Sequence, residues 1–309
     1  MTPIPYTIAV LAIGAAAGLV AAGLWALRQA RRPDARGVSG RTALARAGSY
    51  AGLAAILAVA TFFGVAGITV LVTTLAAVAL VEWGRLADLP RHHRGALQVA
   101  NVAIMAVIAA LGPSGTEWLI GGIVLVGIAW PVALPDPERA MRDLGFAAIG
   151  CIIVSGMLVH AIGLVLDRGE IGSALFVALA VGAAGSDVGA FLVGRRFGRT
   201  PLAPRLSPNK TRAGVVGNLL GAALGILVFA PVLVPGLGPL FVLALVPIVG
   251  FGALWGDLLE SAAKREAGVK DAGAWLPGFG GILDRIDSLL VVLPLTYWSL
   301  RLVDLAQGR

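Results

Sequence analysis

Long apolar runs alternate with short polar breaks along nearly the whole chain. A helix that crosses a bilayer needs about 20 predominantly apolar residues. Runs of that kind predict about ten spanning helices, at residues 5–27, 47–65, 67–84, 96–112, 118–134, 144–166, 172–193, 214–234, 238–258 and 286–303. Only the patch Phe62-Phe63-Gly64-Val65-Ala66-Gly67 divides the second run from the third. The first run is too long for a signal-peptide core and lacks a small-residue cleavage site, so it predicts a retained helix. The expected class is an all-α polytopic integral membrane protein. Residues 1–47 read as an added N-terminal helix with an arginine-rich loop, and 48–309 as a single membrane catalytic domain.

Composition agrees with this pattern. Of 309 residues, 58% are hydrophobic and 13% charged, values that exclude an ordinary soluble domain. The 42 glycines suit close helix approach in lipid and leave homodimerisation through glycine-rich faces open. The single cysteine, Cys151, excludes an intrachain disulfide and a cysteine-based zinc site, and it reads as a small buried hydrophobe. The net charge of +7 is carried mostly by arginines in short loops. With no soluble domain to bind nucleic acid, these charges point to membrane orientation and anionic lipid headgroups.

Alternate loops differ in charge. Arg28, Arg31, Arg32, Arg36, Arg41 and Arg46 follow the first run, and Arg85, Arg91 and Arg94 follow the third. Arg195, Arg196, Arg199, Arg205, Lys210 and Arg212 follow the seventh, while Lys264, Arg265, Lys270 and Arg285 follow the ninth. The segments 113–117 and 231–239 carry no lysine or arginine. The positive-inside rule therefore predicts a multi-pass protein of the cell membrane with its basic loops in the cytoplasm and both termini outside.

Candidate chemistry collects on those basic loops. If the ninth run stays helical to Arg265, Asp257, Ser261 and Lys264 share one face through i,i+4 and i,i+3 spacing. Asp284, Asp287 and Ser288 stand at the head of the tenth run. Between them, Pro277-Gly278-Phe279-Gly280-Gly281 can turn tightly and present backbone N–H groups to an anion. Asp257 and Asp284, from different helices, could share a hard divalent cation such as Mg²⁺, which takes one or two protein carboxylates plus substrate phosphates. Asp187 lies inside an apolar run, where an ionisable group is a functional candidate. Ser207, Lys210 and Thr211 lie in a basic loop suited to phosphate contact. Other polar residues read more plainly: His160 as a packed histidine, His92 and His93 as headgroup contacts, and Glu82 with Trp83 as an interface anchor.

At these positions the chain resembles the phosphatidate cytidylyltransferases (CDP-diacylglycerol synthases). Their signature runs Ser-x-apolar-Lys-Arg-x4-Lys-Asp-x-small, then apolar-Pro-x-His-Gly-Gly-apolar-x-Asp-Arg-apolar-Asp. Here Ser261, Lys264, Arg265, Lys270, Asp271, Gly273, Leu276, Pro277, Gly280, Gly281, Ile282, Asp284, Arg285, Ile286 and Asp287 stand in register. Asp187, Gly189, Ala190, Gly194 and Gly198, with Ser207, Pro208, Lys210 and Thr211, are similar to the family's upstream segments. Phe279 replaces the family's histidine, and Ala213 its glutamate.

The resemblance implies cytidylyl transfer from CTP to phosphatidic acid, giving CDP-diacylglycerol and pyrophosphate. It implies catalytic roles for Ser261, Lys264, Arg265, Lys270, Asp271 and Arg285. Substrate contact would fall to Asp187, Ser207, Lys210, Thr211, Gly280 and Gly281. Asp257, Asp284 and Asp287 would hold Mg²⁺, with a second cation left open. Three alternatives stay open at this stage: a CTP-dependent enzyme acting on another lipid phosphate or alcohol, a lapsed relative, and a transporter.

Overall fold

The structure is a computed structural model and describes residues 52, 55–112, 115, 137–234, 237–269 and 281–308. Within these residues seven helical stretches are long and apolar enough to cross a membrane. They are α1 (Gly64–Leu86), α2 (Arg91–Leu111), the composite Arg139–Arg168, α5 (Glu170–Phe197), α6 (Arg212–Leu233), α7 (Pro239–Glu266) and α8 (Leu283–Ala306). The composite span is built from α3 (Pro137–Gly150), a π-helical turn at Cys151–Gly156 and α4 (Met157–Arg168). The expected runs 5–27 and 118–134 lie outside the described residues, as does part of 47–65.

Side chains sort as they would in lipid. Val70, Val99, Leu224, Leu240, Trp255 and Trp298 are exposed on the outer faces, where a soluble protein would place charge. Inside, Leu158, Ile162, Leu164, Leu175, Leu179 and Leu245 are fully buried. The break anticipated after the second run falls where Phe63 leaves the helix and Gly64 adopts φ +57°, a left-handed conformation that favours glycine.

Small residues set how closely the helices pack. A Cβ at Gly189 of α5 would collide with the carbonyl oxygen of Gly217 of α6, and one at Gly221 with that of Gly185. These two helices therefore meet backbone to backbone, as small residues permit in lipid. Gly256 does the same between α7 and α8, because its Cα faces the carbonyl of Asp287. That contact sets Asp257 beside Asp287.

One feature departs from the helical pattern. The basic segment after α5 folds as an antiparallel hairpin of β1 (Pro201–Ala203) and β2 (Ser207–Thr211), with Pro201 opposite Thr211 and Ala203 opposite Ser207. Thr211 then caps α6 by accepting from the Gly214 N–H at 3.1 Å. A buried polar knot ties the π turn to the first two helices. Ser155 donates to Asn101 Oδ1 at 2.8 Å, and Asn101 Nδ2 donates to the Thr73 carbonyl at 3.1 Å.

Candidate active site

The C-terminal ends of α1, α5 and α7 meet the N-terminal ends of α6 and α8 and the hairpin at one end of the bundle. Asp257, Glu260 and Asp287 come together there, with one ligand atom from each carboxylate within 4.8 Å of the others. Asp257 and Glu260 share a face of α7 through i,i+3 spacing, and Asp287 comes from the first turns of α8. Glu260 and Asp287 are buried, while the Asp257 side chain is 37% exposed. The cluster thus has a dry floor and an open side.

Lys210 closes the open side from β2, its Nζ 2.5 Å from Asp257 Oδ2. Asp187 of α5 is exposed and lies in the electrostatic field of Asp257, Lys210 and Arg285. Ser288, beside Asp287, faces Asp187 with its hydroxyl 3.5 Å from the carboxylate. The sequence candidates Asp187, Lys210, Asp257 and Asp287, drawn from four separate elements, are therefore neighbours in space.

Below this group Lys264 bridges two carboxylates, with Nζ 2.7 Å from Glu260 Oε2 and 3.0 Å from Asp284 Oδ1. Asp284 also accepts from the Gly281 N–H at 3.2 Å. The structure thus groups Glu260 with Asp257 and Asp287 and gives Asp284 a lysine partner instead. Glu260 was missed in the sequence, although its offsets of three from Asp257 and four from Lys264 put it on the same helical face. Its Oε1 is buried and has no hydrogen-bond partner among the described residues.

The remaining candidates divide. Ser261 lies on the same stretch of α7, half-buried. Arg265 donates from Nε to the Leu206 carbonyl at 3.1 Å, tying the end of α7 to the hairpin turn. Ser207 and Thr211 bound β2. Arg285 is exposed at the head of α8 and takes part in the site's electrostatics. Lys270, Asp271, Phe279 and Gly280 lie outside the described residues.

Two plainer readings need correction. Glu82 is no interface anchor: it is fully buried, and its two carboxylate oxygens accept from the backbone N–H groups of Ile282 and Leu283. His93 does not face headgroups, because it is 2% exposed and interacts with Asp143. His160 is packed as expected, its Nδ1 3.1 Å from the Met157 carbonyl and its ring against Tyr297 and Trp298.

Chemically, the donor set is a cluster of hard carboxylate oxygens on a dry floor, flanked by ammonium groups. Such donors fit an oxygen-preferring divalent cation. The bare Oε1 of buried Glu260 supports that fit, since an unpartnered buried oxygen is costly.

Comparison with known proteins decides the family. Residues 44–303 match the cytidylyltransferase family. The chain belongs to that family. This cytidylyltransferase-family protein is 34% identical over 226 residues to the phosphatidate cytidylyltransferase of Pseudomonas aeruginosa, which spans 69% of this chain and 80% of that protein. It is 35% identical over 175 residues to the phosphatidate cytidylyltransferase of Thermotoga maritima, covering 55% of this chain and 63% of that protein. It is also 33% identical over 186 residues to the uncharacterized protein YnbB of Escherichia coli K12, covering 59% of each chain.

Proposed function

We propose that this protein transfers the cytidylyl group of CTP to phosphatidic acid, forming CDP-diacylglycerol and releasing pyrophosphate. The observation that carries the reading is the cluster of Asp257, Glu260 and Asp287 with Lys210 and Lys264 at one end of a membrane bundle, in a chain of the cytidylyltransferase family.

The reaction is an in-line displacement. A phosphate oxygen of phosphatidic acid forms a bond to the α-phosphorus of CTP, and the bond from that phosphorus to the bridging oxygen of pyrophosphate breaks. A phosphomonoester has its second pKa near about 6, so the nucleophile is already deprotonated at neutral pH. No strong general base is required, and Phe279 in place of the family's histidine is compatible with turnover.

The harder task is bringing two anions together and stabilising the leaving group, which positioned cations accomplish. Asp257, Glu260 and Asp287 would hold Mg²⁺. A cation held by these three carboxylates would supply Lewis-acid neutralisation of phosphate charge. Lys210, at the open side, is placed to leave Asp257 for an arriving phosphate. Lys264 stays fixed between Glu260 and Asp284, and Asp284 thereby orients it. Ser261, Arg265, Lys270, Asp271 and Arg285 would complete the phosphate contacts, and Asp187, Ser207, Thr211 and Gly280 the substrate side, while Gly281 is engaged by Asp284 and Glu82 instead. Phosphatidate would enter sideways from the bilayer and keep its tails in lipid. The basic loops at this end support a site that faces the cytoplasm, where CTP is held.

The test uses purified protein in detergent–phosphatidate micelles with Mg²⁺ and α-labelled CTP. Label entering the lipid with release of pyrophosphate is the expected result. Release of CDP with no label in lipid would identify a kinase instead. No reaction from folded protein that binds CTP would point to another lipid phosphate as acceptor.

A further inference from the structure

The head of α8 delivers Asp284 and Asp287 to the site, yet its N-cap residue supplies no side-chain cap. The helix begins after Gly280, Gly281 and Ile282, and Ile282 makes no side-chain capping bond. Left alone, the first backbone N–H groups of a helix are unsatisfied. Here the anion comes from another part of the chain. Glu82, in the last turn of α1, accepts from Ile282 N at 3.0 Å through Oε1 and from Leu283 N at 2.8 Å through Oε2. Gly281 N is taken by Asp284 Oδ2 at 3.2 Å.

Two further observations show that the fit is specific. Glu82 is 0% exposed, and a carboxylate so far from water persists only when its oxygens are well bonded. Gly281 is pressed against it, since a Cβ there would lie 2.7 Å from Glu82 Oε2 and 2.9 Å from Oε1. A methyl at 281 would displace the carboxylate or the helix start. The N–H groups of Gly281, Ile282 and Leu283, which could have met a substrate phosphate, are thus given to the protein's own carboxylates.

We infer that Glu82 is a positioning residue for the reaction, a cap supplied by α1 that fixes the head of α8 and thereby the placement of Asp284 and Asp287. The inference rests on the reading that this end of the bundle performs cytidylyl transfer. Glu82 acts through the α8 backbone and touches no reacting atom. Its carboxylate lies at the positive end of the α8 dipole, where a negative charge is favoured. Small displacements of catalytic groups are expensive, about 100-fold in rate for roughly 1 Å.

The experiment compares Glu82→Ala, Glu82→Gln, Gly281→Ala and the double variant Glu82→Ala/Gly281→Ala in purified protein. Label transfer from CTP to phosphatidate gives kcat, KM and the Mg²⁺ requirement. Hydrogen exchange reports the amides of Ile282 and Leu283. Glu82→Ala should lower kcat by about 100-fold and raise the Mg²⁺ needed for half-activation, with KM for phosphatidate within about threefold. Glu82→Gln keeps an acceptor oxygen without the charge and should lose about tenfold. Both amides should exchange at least about tenfold faster in Glu82→Ala.

Gly281→Ala should impair the wild-type protein but cost little more once the carboxylate is gone. The double variant should match Glu82→Ala within about threefold. Full additivity would overturn the inference, as would unchanged exchange at both amides. A kcat per folded molecule within about twofold of wild type, whatever the effect on yield, would reduce Glu82 to a structural group. If Glu82→Ala is not recovered folded, Glu82→Gln and Gly281→Ala carry the same test. Wild-type protein that transfers no label would defeat the cytidylyltransferase reading, while the exchange data would still report on the cap.

Discussion

Both ends of the bundle carry charge, but they use it differently. At the end opposite the site, the C-terminus of α4 meets the C-terminus of α8 through two ion pairs. Arg168 binds Asp304 at 2.5 Å, and Arg301 lies 3.7 Å from Asp167. Each carboxylate has its own guanidinium, and the contacts join only those two helices. At the other end Asp187, Asp257, Glu260, Asp284 and Asp287 converge from three helices upon Lys210, Lys264 and Arg285. Among the described residues acid exceeds base there, and one buried oxygen, Glu260 Oε1, has no hydrogen-bond partner. Charge that is matched pair by pair fastens helices. Charge left in excess of one sign on a dry floor calls for a cation and an anionic substrate, at a cost that fastening alone would not justify.

Removing the excess should separate the two ends most sharply. Asp287→Asn keeps the shape of the side chain and removes a buried negative charge from the cluster. Transfer of label from CTP to phosphatidate should fall on the order of 1000-fold, because this single change weakens both cation retention and charge stabilisation in the transition state. Asp257→Asn should behave alike. Thermal unfolding in detergent should be unchanged or shifted slightly upward, since relieving crowded carboxylates favours the folded state. A variant that kept more than about a tenth of wild-type turnover would show that the acidic excess is not the working part of the site.

Geometry at the same end can be broken without touching a charge. Gly256→Val would drive a branched side chain into the Asp287 carbonyl and part α7 from α8. Overpacking of this kind costs about 1–3 kcal/mol. Activity should drop by about 30-fold or more, because the carboxylates separate by a fraction of the side chain's width. Circular dichroism would show the helices retained.

Lys210→Ala should have a smaller effect, because the lysine sits at the open side. The loss expected is about tenfold, expressed mainly as a raised KM for CTP, and steady-state kinetics at saturating and limiting CTP would resolve it. A loss confined to kcat would instead place Lys210 against the transition state.

These elements were unevenly legible in the sequence. Spanning helices announce themselves, since twenty apolar residues in a row have few alternatives, and α1, α2 and α5 to α8 fall where the hydropathy pattern put them. The hairpin did not, because three residues of Pro-Leu-Ala carry no strand periodicity. In the candidate site, Asp257, Lys264 and Asp287 stand out in the sequence because spacing and resemblance mark them. The partition between Asp284 and Asp287 could not be read, because positions three residues apart on a helix are nearly equivalent until the packing of Gly256 against Asp287 fixes the register. Glu82 was the hardest to foresee. Its partners are 200 and 201 residues away, and no local pattern encodes such a contact.

The smallest expected effect lies at the fastening end, and it is the one that most directly tests the contrast. Asp304→Asn removes one carboxylate from its arginine while leaving the α8 backbone and the distant site intact. The pair is partly open, with side chains 30% and 19% exposed, so its worth is limited by solvent screening to about 0–1 kcal/mol. The midpoint of thermal unfolding in detergent should fall by no more than a few degrees, and more at low salt than at high salt. Cytidylyl transfer at a temperature well below that midpoint should stay within about twofold of wild type, because Arg168 and Asp304 join α8 to α4 and not to α7. A large loss of turnover with little loss of stability would mean that α8 transmits strain along its length to Asp287. The two ends would then be one device, and the division between fastening and working charge would fail.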